Sequence, residues 1–293
     1  MNCEMESLES LNLLGNKLLE VQVGENLPNI SHLNISNNFN LSDTSFLKSF
    51  PKLTNLEANR NLGFENLNET LNSMTCLKSL SITQCLKWRG SLGQPILKNL
   101  EFLDITDCGF SIKVMFNNGI DTFSNITRLN MDNYLCITDC EFIGNGLALR
   151  NLKHLSINRC KSWWDFEKML LGPNMSNLET LSLESCHIGI QGCKLIAQSS
   201  TLTRLTKLNL SNNLIKDEGC AILCQSSNLQ HLISLDISWN ELTTCSHLAN
   251  NQYFVNLIEL KFENRVSGDN DPMNDKHLLE TSPHLSKLKN YKQ

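Results

Sequence analysis

A parallel-stranded α/β solenoid is the fold class this chain predicts, and three observations predict it. The first is the stretch Leu205 to Asn213, LTKLNLSNN, with apolar residues Leu205, Leu208 and Leu210 at its first, fourth and sixth places. The spacing of two between Leu208 and Leu210 is that of a short strand with one buried face. The second is recurrence. The pattern returns as LESLNLLGN from Leu8, ISHLNISNN from Ile30, LTNLEANRN from Leu53, LKSLSITQC from Leu77 and LEFLDITDC from Leu100. It continues as ITRLNMDNY from Ile126, LKHLSINRC from Leu152, LETLSLESC from Leu178, LISLDISWN from Leu232 and LIELKFENR from Leu257. The third is that later copies lie further apart and carry helix signals between them. Internal repetition at this period means stacked units that bury a core only against their neighbours.

These copies resemble leucine-rich repeats, whose consensus reads LxxLxLxxN or LxxLxLxxC. The resemblance spans nearly the whole chain. It implies a curved horseshoe arc with the parallel β-sheet on the concave face and helices, 3₁₀ or extended segments on the convex face. It also implies a single domain over 1–293 of about eleven repeats, with 266–293 as a C-terminal cap or partial repeat. A fragment, LSKL from Leu285, reads as the start of a twelfth copy. The copies around Gly192 and Gly219 resemble the ribonuclease-inhibitor type, and the Cys-ended ones resemble the cysteine-containing type.

The elements follow in order. Copies from Leu8 to Leu100 are short, which predicts extended or 3₁₀ segments opposite the strands. From Leu100 onward the spacing lengthens enough for α-helices of about two turns. Asp165 is placed to cap a helix over FEKMLL that stops at Gly172-Pro173. Asp217 is placed likewise before GCAILCQSS, with Ile222 and Leu223 facing in, and Gly192-CKLIAQSS parallels it. A tighter curve after about residue 100 is expected, because helices widen the outer wall. Few residues precede Leu8, so the first copy is expected to expose an apolar edge. At the other end, Asp275-KHLLE predicts one capping helix.

Composition narrows the class further. The chain is 41% hydrophobic and 19% charged with a net charge of -5, which supports a packed core. An acidic balance disfavours nucleic acid and anionic membrane as partners, since both require basic patches. No apolar run reaches the roughly 18 residues of a spanning helix, and the opening MNCEMESLES does not read as a secretory signal. There are 12 cysteines. Cys85, Cys108, Cys160 and Cys186 stand at the ninth place, where Asn16, Asn38, Asn61, Asn213 and Asn240 stand in other copies. The resemblance implies that this side chain turns inward and donates to carbonyls of the bend, which a thiol does more weakly than an amide. Cys136 with Cys140 and Cys220 with Cys224 are spaced by four, unlike the CxxC of zinc sites. Free thiols without a secretory signal point to a cytoplasmic protein. Triplets such as Asn34-Ile35-Ser36 are by-products of the repeat.

Little in the chain suggests catalysis. No phosphate loop, GxSxG or HExxH occurs. His187 beside Cys186 offers two ligands at most. Asp104, Asp107 and Asp132 on adjacent strands admit an acid/base pair or cation site, against the plainer reading of solvated strand residues. No metal or cofactor is implied, and the chain reads as no enzyme.

The third, fifth and seventh places face solvent on the sheet, and most are small and polar. Phe102 departs from its column. Around it the sequence sets Arg128, His154 and Arg159, alternating with Asp104, Asp132 and Glu184; Asn158 belongs to the same surface. Trp239, at an eighth place, is the second aromatic expected at the rim. Aromatics ringed by charge are the usual composition of binding hot spots. Trp163 and Trp164 form a competing patch. The expected function is a non-catalytic module that binds, and inhibits or regulates, a protein partner through this face. One version is a bacterial effector or regulator in a host cytosol. The alternative is a substrate-recognition or regulatory subunit of an enzyme such as a ubiquitin ligase.

Overall fold

The computed structural model describes residues 7–23, 27, 29–61, 63–64, 66–85, 90–92, 98–116, 124–133, 139–160, 166–263, 275 and 277–292. The Cys136, Trp163, Trp164 and Asp165 readings lie outside these residues. Two compact units form, Met1–Asp139 with Gly146–Asn151, and Cys140–Asn145 with Leu152–Gln293. The first carries strands β1 (Ser10–Asn12), β2 (His32–Asn34), β3 (Asn55–Glu57), β4 (Ser79–Ser81), β5 (Phe102–Asp104) and β6 (Arg128–Asn130). The second carries β7 (His154–Ser156), β8 (Thr180–Ser182), β9 (Lys207–Asn209), β10 (Ser234–Asp236), β11 (Glu259–Lys261) and β12 (Asn290–Lys292). Within each unit consecutive strands pair in parallel, third place against third place, as in Phe102↔Arg128 and Ser234↔Glu259. This is the leucine-rich repeat solenoid.

Each strand is the third to fifth places of a copy. The fourth-place Leu is buried, as at Leu56, Leu103 and Leu208, while its neighbours on either side face water. First and sixth places, such as Leu205 and Leu210, complete the core. The strand stops because the eighth residue turns left-handed: φ is 59° at Asn37, 56° at Arg60, 58° at Ser185 and 56° at Asn212. A left-handed residue with a Cβ costs about 1–2 kcal/mol. Its N–H, however, reaches the seventh-place carbonyl of the next copy, as Asn37 to Asn59 at 2.9 Å and Asn212 to Ser238 at 2.8 Å. That bond offsets the conformational cost.

The ninth place behaves as the resemblance implies. Nδ2 of Asn213 donates to the carbonyls of Leu183 (2.7 Å) and Ser211 (3.1 Å), and its Oδ1 accepts from the N–H of Cys186 (2.8 Å). Asn240 repeats this one copy later, to Leu210, Ile237 and Ser238. Cys108 and Cys186 make the shorter version, their thiols donating to Ile82 O and Ile157 O at 2.9 Å. Asn16, at the first copy, is exposed and donates to Leu14 O at 3.4 Å.

A further apolar position recurs outside the nine residues of each copy. Three places before the first Leu stands another buried apolar residue: Phe50, Met74, Met175, Leu202, Leu229, Phe254 and Leu285. Its carbonyl accepts the first-place N–H in a tight turn, for example Leu257 to Phe254 at 3.0 Å and Leu288 to Leu285 at 2.9 Å. This corrects the twelfth copy. Glu259 is in register with Asn290, so its first place is Leu288, and Leu285 is the turn residue that precedes it. Two apolar residues spaced by three occur at both positions, which is why LSKL resembled a start.

Helices follow on the side opposite the strands: α1 (Leu67–Ser73), α2 (Ile112–Met115), α3 (Cys140–Asn145), α4 (Phe166–Leu170), α5 (Gly189–Gln198), α6 (Lys216–Cys224), α7 (Ser246–Ala249) and α8 (His277–Thr281). The longest, α5 and α6 at 10 and 9 residues, sit in the widely spaced copies as expected. They pack so closely that a Cβ on Gly219 would lie 3.0 Å from the Cys193 sulfur. Two expectations are corrected. A seven-residue α-helix, α1, fits in a short early copy, where only extended or 3₁₀ chain was expected; Ser45–Ser49 is the 3₁₀ segment that was. Asp217 does not cap α6. It lies in the first turn behind Ile215, and its carboxylate accepts instead from the N–H groups of Thr243 (2.9 Å) and Thr244 (3.3 Å) of the next copy. The Asp275 carboxylate similarly accepts from Cys245 N–H at 2.9 Å, while its backbone carbonyl accepts from Leu278 N–H of α8, the helix expected over Asp275-KHLLE. Neighbouring copies cap one another because their turns stack within reach. Of the two α6 residues expected inside, Leu223 is buried and Ile222 is half-buried.

Candidate functional site

The first unit places Phe102, Asp104, Arg128 and Asp132 on β5, β6 and the turns that follow them. Parallel register sets Phe102 beside Arg128, and the guanidinium carbon lies 5.9 Å from the ring centroid. Phe102 is thereby half-buried, and Arg128 stays exposed. A cation over an exposed ring contributes about 0.5–1 kcal/mol, so the pair forms a prepared patch rather than two independent side chains. Asp104 is held by the Thr106 N–H at 3.0 Å and by Asn130 Nδ2 at 3.5 Å. Asp107 accepts from Gln84 at 3.2 Å. These carboxylates bind protein donors, the ordinary state of strand-end residues.

In the second unit the predicted residues gather differently. His154 Nδ1 lies 3.1 Å from Thr180 Oγ1, and Asn158 Oδ1 accepts from Ser182 Oγ and the Glu184 N–H, both at 2.8 Å. Asn158 therefore works as an internal brace. Arg159, Glu184 and Trp239 line one cleft of about 540 Å³ at the C-terminal ends of β7 to β11. The sequence had tied Arg159 and Glu184 to Phe102 and set Trp239 apart; the structure groups all three. Its floor is the seventh-place row, Glu184, Ser211, Ser238 and Glu263, and its wall is the eighth-place row, Arg159, Ser185, Asn212 and Trp239. Trp239 is left-handed at φ 62°, 40% exposed, and donates its N–H to the Glu263 carbonyl. Lys261, which also lines the cleft, bridges Asp236 at 3.5 Å and Glu259 at 4.0 Å. Asp236, Lys261 and Glu263 were missed as site residues, although they occupy the same outward columns. Only the stacking of copies shows which column members share a cleft.

The buried thiols are chemically quiet. Burial pushes Cys85 up to about 11 and Cys108 up to about 12, against the lowering effect of nearby backbone N–H groups. Cys193 is raised to about 12 by burial alone. Among the described residues no group of three or more His, Cys, Asp or Glu could hold a metal ion, and no helix is long and apolar enough to cross a membrane.

No protein-family model matches the sequence, and no curated protein matches it. Solved structures do. An internalin from Listeria monocytogenes aligns at a TM-score of 0.53 and 20% identity, over 99% of this chain and 88% of that one. The mouse RP105/MD-1 complex aligns at 0.60 and 20%, over 98% and 46%. The TLR13–ssRNA13 complex aligns at 0.52 and 19%, over 90% and 43%. The chain thus spans less than half the length of the latter two. At these identities the likeness establishes the fold, shared with leucine-rich repeat proteins.

Proposed function

We propose that this chain is a non-catalytic recognition module that binds a protein partner through the solvent-facing side of its sheet. The observation that carries the reading is the placement of the two aromatics. Phe102 lies under Arg128 in one unit, and Trp239 stands at the rim of a charged cleft in the other. Large rings held half-exposed among polar groups are what interface anchors require. RP105 is structurally paired with MD-1 and TLR13 with ssRNA, so this architecture admits either class of ligand. A net charge of -5 and a lining that mixes both signs favour protein. Ten described cysteines are free thiols, nine of them buried, which supports residence in a reducing compartment such as the cytosol. A module that covers several strands' width of its partner would inhibit or regulate it by occupying its surface.

The test is quantitative binding. A partner enriched on the immobilised chain is purified, and its affinity is measured for wild type, Phe102→Ala with Arg128→Ala, and Trp239→Ala. Loss of roughly tenfold or more in either variant supports the reading. Unchanged affinity in both removes the sheet face from consideration.

A further inference from the structure

A second surface lies at the opposite ends of the strands, where the chain enters the sheet. Here two rows run side by side across successive copies of the second unit. One row is the residue just before each first-place Leu: Arg204, His231, Asn256 and Lys287. The other is the second place: Thr206, Ile233 and Ile258. Backbone bonds hold the second row in step, Ile233 N–H to Thr206 O at 2.7 Å and Ile258 N–H to Ile233 O at 2.8 Å. Between the rows is a groove of about 580 Å³.

Its chemistry differs from the same position one and two copies earlier. There the second places are Lys153 and Glu179, which form an exposed ion pair at 3.0 Å that closes the edge electrostatically. At β10 and β11 the second places are isoleucine, with Ile233 39% exposed, and at β12 the place is Lys289. Two cationic side chains, Arg204 and Lys287, line the groove together with His231, and no carboxylate does, in a chain whose net charge is -5. Arg204 is steadied by Asn177 at 3.3 Å and Lys287 by Asn256 at 2.7 Å, neutral acceptors that leave both charges uncompensated by these contacts. The neighbouring carboxylate is Glu179, which is held low by its hydrogen bond from Lys153 and also feels Arg204.

We propose that this groove docks an extended acidic segment of a protein partner, with an apolar side chain seated on Ile233 and Ile258 and carboxylates along Arg204, His231 and Lys287. Charge complementarity selects the occupant. A basic or neutral segment would leave the cationic wall unmatched, and a purely acidic one would leave the isoleucines wet. Three steps of about 4.8 Å span roughly 14 Å, the reach of about four extended residues. This surface is independent of the sheet face, so each can fail alone.

The probe is a fluorescein-labelled octapeptide of alternating Glu and Leu, titrated against the whole chain by anisotropy beside a Lys–Leu counterpart. The expected result is binding of the acidic peptide only. Arg204→Ala with Lys287→Ala, and separately the exposed Ile233→Ser, should each weaken it about tenfold, while Trp239→Ala leaves it unchanged. Equal binding of both peptides, no binding of the acidic one, wild-type affinity in the groove variants, or loss in Trp239→Ala would overturn the proposal.

Discussion

The copies that end in Asn and those that end in Cys solve one problem with unequal means. At Asn213 a single amide donates to Leu183 O and Ser211 O while accepting from Cys186 N–H and, at 3.2 Å, from Ile188 N–H. At Cys186 the thiol donates to Ile157 O at 2.9 Å and Glu184 O at 3.4 Å. An amide ties its own copy to the one before by both donating and accepting strongly. A thiol is a weak donor and a weak acceptor, and it contributes mainly by filling the same buried volume. The lesson is that the ninth place requires a small group that tolerates burial, and that hydrogen-bond strength there is adjustable from copy to copy.

The largest effect expected from this difference is at Asn213. Asn213→Ala strips the buried Leu183 carbonyl and the Cys186 and Ile188 N–H groups of their amide partner, while Ser211 O keeps Ser185 N–H, and should lower unfolding free energy by about 3–5 kcal/mol. Urea denaturation measures it. Cys186→Ala removes a weak donor and a sulfur's volume, for an expected loss of about 1–2 kcal/mol. Similar losses in the two variants would erase the distinction. A separate effect is a pH dependence peculiar to the Cys copies. Folded Cys85 and Cys108 are raised to about 11 and about 12 from an ordinary 9.0. The unfolded chain therefore releases these protons first. The stabilisation is fully present below about pH 9 and is lost as pH rises towards the folded values. Melting temperature should fall between pH 9 and 11, and the slope should flatten in Cys85→Ala with Cys108→Ala. An unchanged slope would show that those thiols do not govern alkaline unfolding.

The candidate sites were legible in part. Phe102 and Arg128 stand in the same column of adjacent copies, so their contact follows once the register is known, and parallel stacking admits only one. Arg159, Glu184 and Trp239 were visible as surface residues, yet their shared cleft was not. It depends on the eighth residue of one copy sitting against the seventh of the next, a relation produced by left-handed turns that residue type does not announce: Arg60, Gln84 and Trp239 all adopt φ between 56° and 62°. The edge groove was hidden for a related reason. Its walls come from places that the repeat pattern leaves variable.

Periodicity determined that each copy would contribute a short strand with its Leu inward, because a period-two apolar pattern admits one buried face; the resemblance implied the parallel sheet and the one buried role shared by Asn and Cys. Only the stacked structure decided which copy caps which, as with Asp217 and Thr243, and where variable side chains converge into a cleft or a groove. Such relations run between residues some 26 positions apart, and local sequence carries no record of what packs beside it.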